Sequence, residues 1–231
     1  MRLMRRVIRT IAVVGALSSL VGPAFGQSAT AQRRSTTVDE VQLSSAAVAL
    51  HQDMRKLWTD HVVWTRDYII AATEKQPDGN AALNRLLKNQ DDIGNAVGKF
   101  YGAAAGGQLT MLLKDHITIA GDIVKAAMAG DKAGQKTADD RWRRNADQIA
   151  DFLSKANPNW PRATLVSMMN MHLSTTSTEL VARLNKDWDG DVKAFDAVYD
   201  HILHMSDALA DGIVKQFPDK FRTVVSTTGV R

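Results

Sequence analysis

Apolar and polar positions alternate with helical spacing from about Leu43 to Phe217. Apolar side chains recur three and four residues apart, the interval that lines one face of an α-helix. Period-2 alternation rich in β-branched residues, the mark of a strand, is missing from that stretch. Turn chemistry interrupts the pattern five times, at Gln76-Pro77-Asp78-Gly79, Gly102 to Gly107, Ala129-Gly130-Asp131, Asn157 to Pro161 and Asp187 to Gly190. Five breaks predict six helices, over about 44–75, 80–101, 107–129, 132–156, 161–186 and 191–216. Each is roughly 30 to 45 Å long. Short connections make consecutive helices antiparallel neighbours. The expected fold is therefore all-α, an antiparallel up-and-down bundle of six helices in three hairpins.

The hairpins share a rhythm. His61 to His116 is 55 residues and His116 to His172 is 56, on the first, third and fifth helices. Asn89 to Asn145 and Asn145 to His201 are 56 each, on the second, fourth and sixth. These intervals predict a pseudo-threefold internal repeat of one hairpin. The midpoints between successive members of the series fall on or beside the five turns. Residues equidistant from a hairpin turn lie at one height, so all six should form a single layer across the bundle. Apolar neighbours flank each one at helical spacing, such as Leu57 and Trp64 around His61 or Trp142 and Ile149 around Asn145. Each polar residue thus interrupts an apolar stripe. Leaving such a group buried and unpaired costs roughly 1–3 kcal/mol.

Imidazole is the commonest neutral protein ligand for transition metals, and histidines on facing helices can meet near a bundle axis. His61, His116, His172, His201 and, one turn on, His204 are the candidate metal ligands. Asn89, Asp92, Asn145 and Gln148 are candidate supporting or cofactor-binding groups. Zinc, iron and copper are the candidate ions, and noncovalent haem between two histidines needs no cysteine. Met168, Met169, Met171 and Met205 lie near these histidines, and thioethers favour Cu(I), although methionine at helical spacing also fills core gaps. Two other readings stand beside the metal: a structural layer that fixes helix register, and a pocket for an organic ligand. An enzyme using a layer histidine as general base beside Asp92 is a further alternative.

Composition narrows the chemistry. The 231 residues contain no cysteine, which removes disulfides, thiolate metal sites and cysteine nucleophiles. Glu40, Glu74 and Glu179 are the only glutamates, too few for a ferritin-like di-iron centre, and no His-Glu-x-x-His is present. No strand and no Gly-Lys-Ser/Thr accompany Gly102–Gly107, so nucleotide binding has no support. Arg66 and Arg183 read either as partners of acids or as anion contacts. Trp160, in its Pro-rich turn, reads as a cap over a bundle end, with a partner contact as the alternative.

Charge changes meaning along the chain. Four of the 29 basic residues fall in residues 1–26, which hold no acid, so 25 basic face 25 acidic residues in the remainder. A basic start, an apolar stretch from Ile11 to Val21 and the small-residue end Ala24-Phe25-Gly26 predict a secretory signal over 1–26. The expected location is the periplasm or the exterior. A balanced remainder gives no basic face for nucleic acid, and no later stretch has the ~20 apolar residues of a membrane span. Residues 27–42 read as a flexible lead-in, 43–221 as the bundle and 222–231 as a tail.

Local motifs add a likeness. They are Trp58-x-x-His61-x-x-x-Thr65-Arg66, Asn89-Gln90-x-Asp92-Ile93-Gly94, Tyr101-Gly102, Trp142-x-x-Asn145-Ala146, Asn157-Pro158-x-Trp160 and Gln216-Phe217-Pro218. Through them the chain resembles, from Trp58 to Phe221, a group of secreted bacterial helical proteins. Some of these carry names such as glycosyltransferase or acetylglutamate kinase. The resemblance implies an exported all-helical fold and supplies no activity or site residue.

Overall fold

The computed structural model describes residues 44–222. The signal expected over 1–26, the lead-in over 27–42 and the tail beyond Arg222 lie outside the described residues. Six α-helices follow one another: α1 (Ser45–Thr73), α2 (Gly79–Tyr101), α3 (Ala103–Met128), α4 (Lys132–Ala156), α5 (Arg162–Leu184) and α6 (Trp188–Gln216), before a short 3-10 turn at Pro218–Lys220. Each helix packs on its sequence neighbours, α6 closes on α1, and α1 also touches α3 and α5. No helix among the described residues is long and apolar enough to cross a membrane.

Helix ends follow local chemistry. Ser44 caps α1 by accepting from the Ala47 amide at 3.2 Å. Asp131 and Asp187 cap α4 and α6 in the same way, each accepting at 2.9 Å from a glycine amide three residues on. The odd helices end alike. Lys75, Gly130 and Lys186 adopt φ of 55°, 68° and 57°. The next amide in each case reaches back to a carbonyl five residues earlier, Gln76 to Ala71, Asp131 to Ala126 and Asp187 to Ala182. This is the Schellman closure, for which a left-handed residue is needed.

Two expected breaks are revised by these caps. Asp187-Trp188-Asp189-Gly190 is the cap and first turn of α6 rather than a turn before it. Gly102, at φ 90°, alone separates α2 from α3, and Gly106 and Gly107 lie inside α3. The reason for Gly106 is packing. A Cβ there would stand 2.6 Å from the Gly94 carbonyl oxygen and 3.0 Å from the Gly98 Cα. Backbone meets backbone where α2 crosses α3, and only hydrogen fits.

Burial falls in matching places on the even helices. Ala82, Leu86, Asn89, Ile93 and Val97 of α2 are buried. The residues 56 positions later on α4 are Ala138, Trp142, Asn145, Ile149 and Leu153, all buried too. On α6 the corresponding set is Ala194, Val198, His201, Met205 and Leu209, buried except for the half-buried His201. At the end of the bundle away from the odd-helix caps, Trp160 is buried with its ring 5.7 Å from that of Tyr101. The Tyr101 hydroxyl donates to Gln216 Oε1 and accepts from Asn157 Nδ2, both at 2.8 Å. Trp160 is therefore a cap on the bundle end.

Gly106→Ala should destabilise the fold by roughly 1–3 kcal/mol, because neither backbone can yield without shifting a helix. Urea denaturation measures it. A loss under about 0.5 kcal/mol would mean that the two backbones do not meet at this crossing.

Candidate functional site

The six positions of the sequence series meet in one layer. His61, Asn89, His116, Asn145 and His172 are between 0 and 4% exposed, and His201 is half-buried. His172 stands at the centre. Its ring centroid lies 5.5 Å from that of His61, 6.0 Å from His116 and 6.4 Å from His201.

One hydrogen bond recurs on each hairpin. Asn89 Nδ2 donates to the Leu57 carbonyl at 3.0 Å, Asn145 Nδ2 to the Leu112 carbonyl at 3.0 Å, and His201 Nε2 to the Met168 carbonyl at 2.9 Å. Each acceptor sits four residues before a layer histidine. A carbonyl only accepts, so these bonds orient both amides and fix the proton of His201 on Nε2.

Proton positions in the layer follow. Asn145 Oδ1 must accept, so His116 donates to it from Nδ1 at 2.8 Å. That leaves His116 Nε2 as a lone pair, buried with no hydrogen-bond partner. Gln90 Nε2 has two protons for three acceptors within reach, the Leu86 carbonyl at 2.8 Å, Asn89 Oδ1 at 3.2 Å and His61 Nδ1 at 3.3 Å. An amide nitrogen cannot accept, so His61 faces it with the Nδ1 lone pair and carries its proton on Nε2. His172 Nδ1 and Gln90 Oε1 are buried without partners.

Burial keeps these rings neutral. Desolvation, then repulsion from His116, pushes His61 from its ordinary 6.5 to about 3. Desolvation takes His116 to about 4, although Asn145 works against it. His172 falls well below its ordinary value through desolvation and its three histidine neighbours. A neutral imidazole is the form that binds a metal.

Beside the layer is a cavity of about 20 Å³, lined by His61, His116, His172, Trp58, Met169, Met205 and aliphatic side chains. That is room for one water-sized occupant. One to two turns along the axis, toward the odd-helix caps, a second cavity of about 40 Å³ is bordered by Thr65, Tyr68, Trp142 and Thr176. Trp142 Nε1 and Thr176 Oγ1 are also buried and unpaired. Among the described residues, no group of three His, Asp or Glu side chains stands arranged to hold an ion. On a tetrahedral ion, imidazole centroids lie about 5 Å apart, so the His61–His172 and His116–His172 pairs, at 5.5 and 6.0 Å, would each have to close by up to roughly 1 Å.

Three expected site residues, the metal-ligand candidate His204 and the supporting candidates Asp92 and Gln148, lie elsewhere. Gln148 and His204 are exposed, and Asp92 is half-buried in an ion pair with Lys88. All three sit three positions after a layer residue. The buried stripe runs through steps of −3 and +4, so a residue at +3 turns about 100° from the middle of that stripe. Met171 is 53% exposed, which separates it from Met169 and Met205. Gln90, absent from the expected set, does what Asp92 was expected to do, reaching a layer histidine.

A second polar group lies toward the odd-helix caps. Arg66 of α1 pairs with Glu179 of α5 at 2.7 Å and, through both terminal nitrogens, with Asp191 of α6 at 3.0 and 2.8 Å. Arg183 also reaches Asp191, at 3.3 Å, and Glu74, at 3.2 Å. Glu179 and Asp191 are buried. One guanidinium thus serves two carboxylates, and Asp191 takes the bidentate share. Burial, only partly offset by Arg66, pushes Glu179 up to about 7. Arg66 is accordingly the half-buried partner of two buried acids, the first of its two expected roles.

No family model, curated protein or solved structure matches the chain.

Layer and ion cluster oppose each other in pH dependence. The histidines titrate below their ordinary 6.5 when folded, so the unfolded chain takes up protons that the fold refuses. Their contribution is full above 6.5 and declines as pH falls toward about 4. Glu179 is protonated in the fold at pH values where the unfolded carboxyl, near 4.5, has ionised. Its contribution is full below 4.5 and is lost as pH rises toward about 7. Between pH 5 and 6, His116→Leu should flatten the rise of stability with pH by up to one proton, about 1.4 kcal/mol per pH unit. Glu179→Gln should steepen it. Urea midpoints across pH measure both, and slopes parallel to the unsubstituted chain would contradict the burial of these groups.

Proposed function

We propose that this chain is an exported protein that binds one transition-metal ion in the interior of its helical bundle. His61, His116 and His172 supply the ligands, and storage, sensing or handling of the metal is the role. One observation carries the reading. Ring nitrogens of His116 and His172 are buried without partners, beside a cavity of one-water size that His61 also lines. Each unpaired nitrogen is a standing cost of roughly 1–3 kcal/mol, and a coordinated ion removes it.

The ligands differ in readiness. His116 presents Nε2 as a lone pair while Asn145 holds its other nitrogen, the arrangement that orients metal-binding imidazoles. His172 presents an unpaired Nδ1. His61 offers Nε2 once its proton moves to Nδ1, an exchange that Gln90 accommodates by turning its amide from Leu86 so that Oε1 accepts. His201 is engaged with Met168 through Nε2 and holds the layer from its rim. Asn89 and Asn145 act as supports rather than ligands.

The three equivalent bonds to backbone carbonyls support a second reading, in which the layer only sets helix register. They also support a tripled hairpin as the origin of the bundle. The basic, apolar and small-residue succession in residues 1–26 supports export.

Elemental analysis after purification without chelators should find about one metal ion per chain, or restore that ratio after challenge with Zn(II), Fe(II) or Cu(I). His116→Leu should lose the metal and stay helical by circular dichroism. A metal-free protein after all three challenges would leave the register layer as the role of these histidines. Export is checked separately. Protein recovered from the periplasm or medium of a Gram-negative host should begin at Gln27, and full-length chain confined to the cytoplasm would contradict it.

A further inference from the structure

The cavity beside the histidines has a donor set of one kind. Its potential ligands are three neutral imidazoles and the thioether residues Met169 and Met205, and the rest of its wall is Trp58 and aliphatic side chains. No carboxylate lines it. The nearest buried acids along α5 and α6, Glu179 and Asp191, are already engaged by Arg66. We propose, building on the metal-binding reading above, that the ion this cavity selects is cuprous copper, held by His61, His116 and His172 with Met169 or Met205 as a soft further ligand.

Charge favours this choice. The cost of moving an ion into a low-dielectric interior grows with the square of its charge. A divalent ion therefore pays about four times what a monovalent one pays, with no anionic ligand here to offset it. Donor softness points the same way, since thioether sulfur suits Cu(I), whereas carboxylate and water suit harder ions. Size agrees as well. About 20 Å³ leaves no space for the several water ligands that would complete an octahedral Fe(II) shell.

Geometry adds a fourth argument. Cu(I) accepts three ligands in a plane, and imidazole centroids on such an ion stand about 5.5 Å apart, given metal–nitrogen bonds near 2.0–2.1 Å. The His61–His172 and His116–His172 centroids stand 5.5 and 6.0 Å apart. For these two pairs a planar three-coordinate ion thus asks for less movement than a tetrahedral one. Met169 is buried on α5 three residues before His172, and Met205 is buried on α6 four residues after His201. The exposed Met171 has no part in the site.

The test is an anaerobic titration of the full purified chain with Cu(I) against a chromophoric Cu(I) chelator, with Zn(II) and Co(II) titrated in parallel. One Cu(I) per chain should bind, at least 100-fold more tightly than Zn(II) or Co(II). X-ray absorption should then show nitrogen neighbours and a sulfur neighbour at about 2.3 Å. The double variant Met169→Leu/Met205→Leu, nearly volume-conserving, should fold, lose the sulfur signal and weaken Cu(I) at least tenfold. His116→Leu should abolish binding. Stoichiometric Zn(II) or Co(II) binding without Cu(I) would overturn the copper assignment and leave the metal-binding reading standing. Cu(I) held equally well by the double variant, or by His116→Leu, would place the ion outside this cavity and overturn the assignment. A chain that binds none of the three would remove the metal-binding reading itself.

Discussion

An imidazole cut off from water has to be neutral, and it must then find one acceptor for its proton and one donor for its lone pair. Three such rings at one height inside a helical bundle make that requirement the organising constraint of this fold. The even helices answer it from the outside. Asn145 takes the proton of His116, and Gln90 faces the lone pair of His61. Asn89, Asn145 and His201 each grip a carbonyl of the preceding odd helix. A one-turn slip of any hairpin would break its bond and leave a buried amide or ring unsatisfied, so the polar layer sets the register that the apolar stripes alone would leave loose. What the outer helices do not answer is the centre, where His116 Nε2 and His172 Nδ1 face each other's surroundings without a partner.

The charged groups of the interior are kept away from that centre. Glu179 follows His172 by seven residues, two turns or about 10 Å along α5. There it shares Arg66 with Asp191, and Arg66 also lies over the Phe195 ring at 4.6 Å. This cluster joins α1, α5 and α6 where the chain closes its ring. Held there by Arg66 and Arg183, these acids stay out of the histidine cavity, which no carboxylate lines. The two polar levels therefore differ in kind: one is ionic, with its buried carboxylates paired, the other neutral and incomplete.

Much of this was legible in the sequence because the bundle is built from long elements with short turns. The helix breaks and the midpoints between His61, Asn89, His116, Asn145, His172 and His201 needed only helical periodicity and hairpin symmetry, and the layer follows from them. Facing was legible for those six because each interrupts an apolar stripe. It was not legible for Asp92, Gln148 and His204, because the stripe leans toward +4 rather than +3, and only the partner helices decide the lean. The glycines of 102–107 carried a turn signal that was half misleading, since Gly106 serves a helix crossing that no local pattern announces. Arg66 finds its acids 113 and 125 residues away, beyond any local rule. Gln90 was missed because it adjoins Asn89, and neighbouring residues rarely share a face on an ordinary helix. Here both reach α1, Asn89 at the Leu57 carbonyl and Gln90 at His61 Nδ1.

What the histidine layer holds is decided most directly by where an ion sits in the folded chain. Anomalous diffraction from crystals of the metal-loaded protein, collected at the absorption edge of the bound metal, answers that. One peak is expected among His61, His116 and His172, within about 2.0–2.3 Å of their ring nitrogens. A peak only at a surface position, such as His51 with Asp207 and Asp211, or interior histidines undisturbed with no peak between them, would contradict the claim that this layer exists to hold a metal.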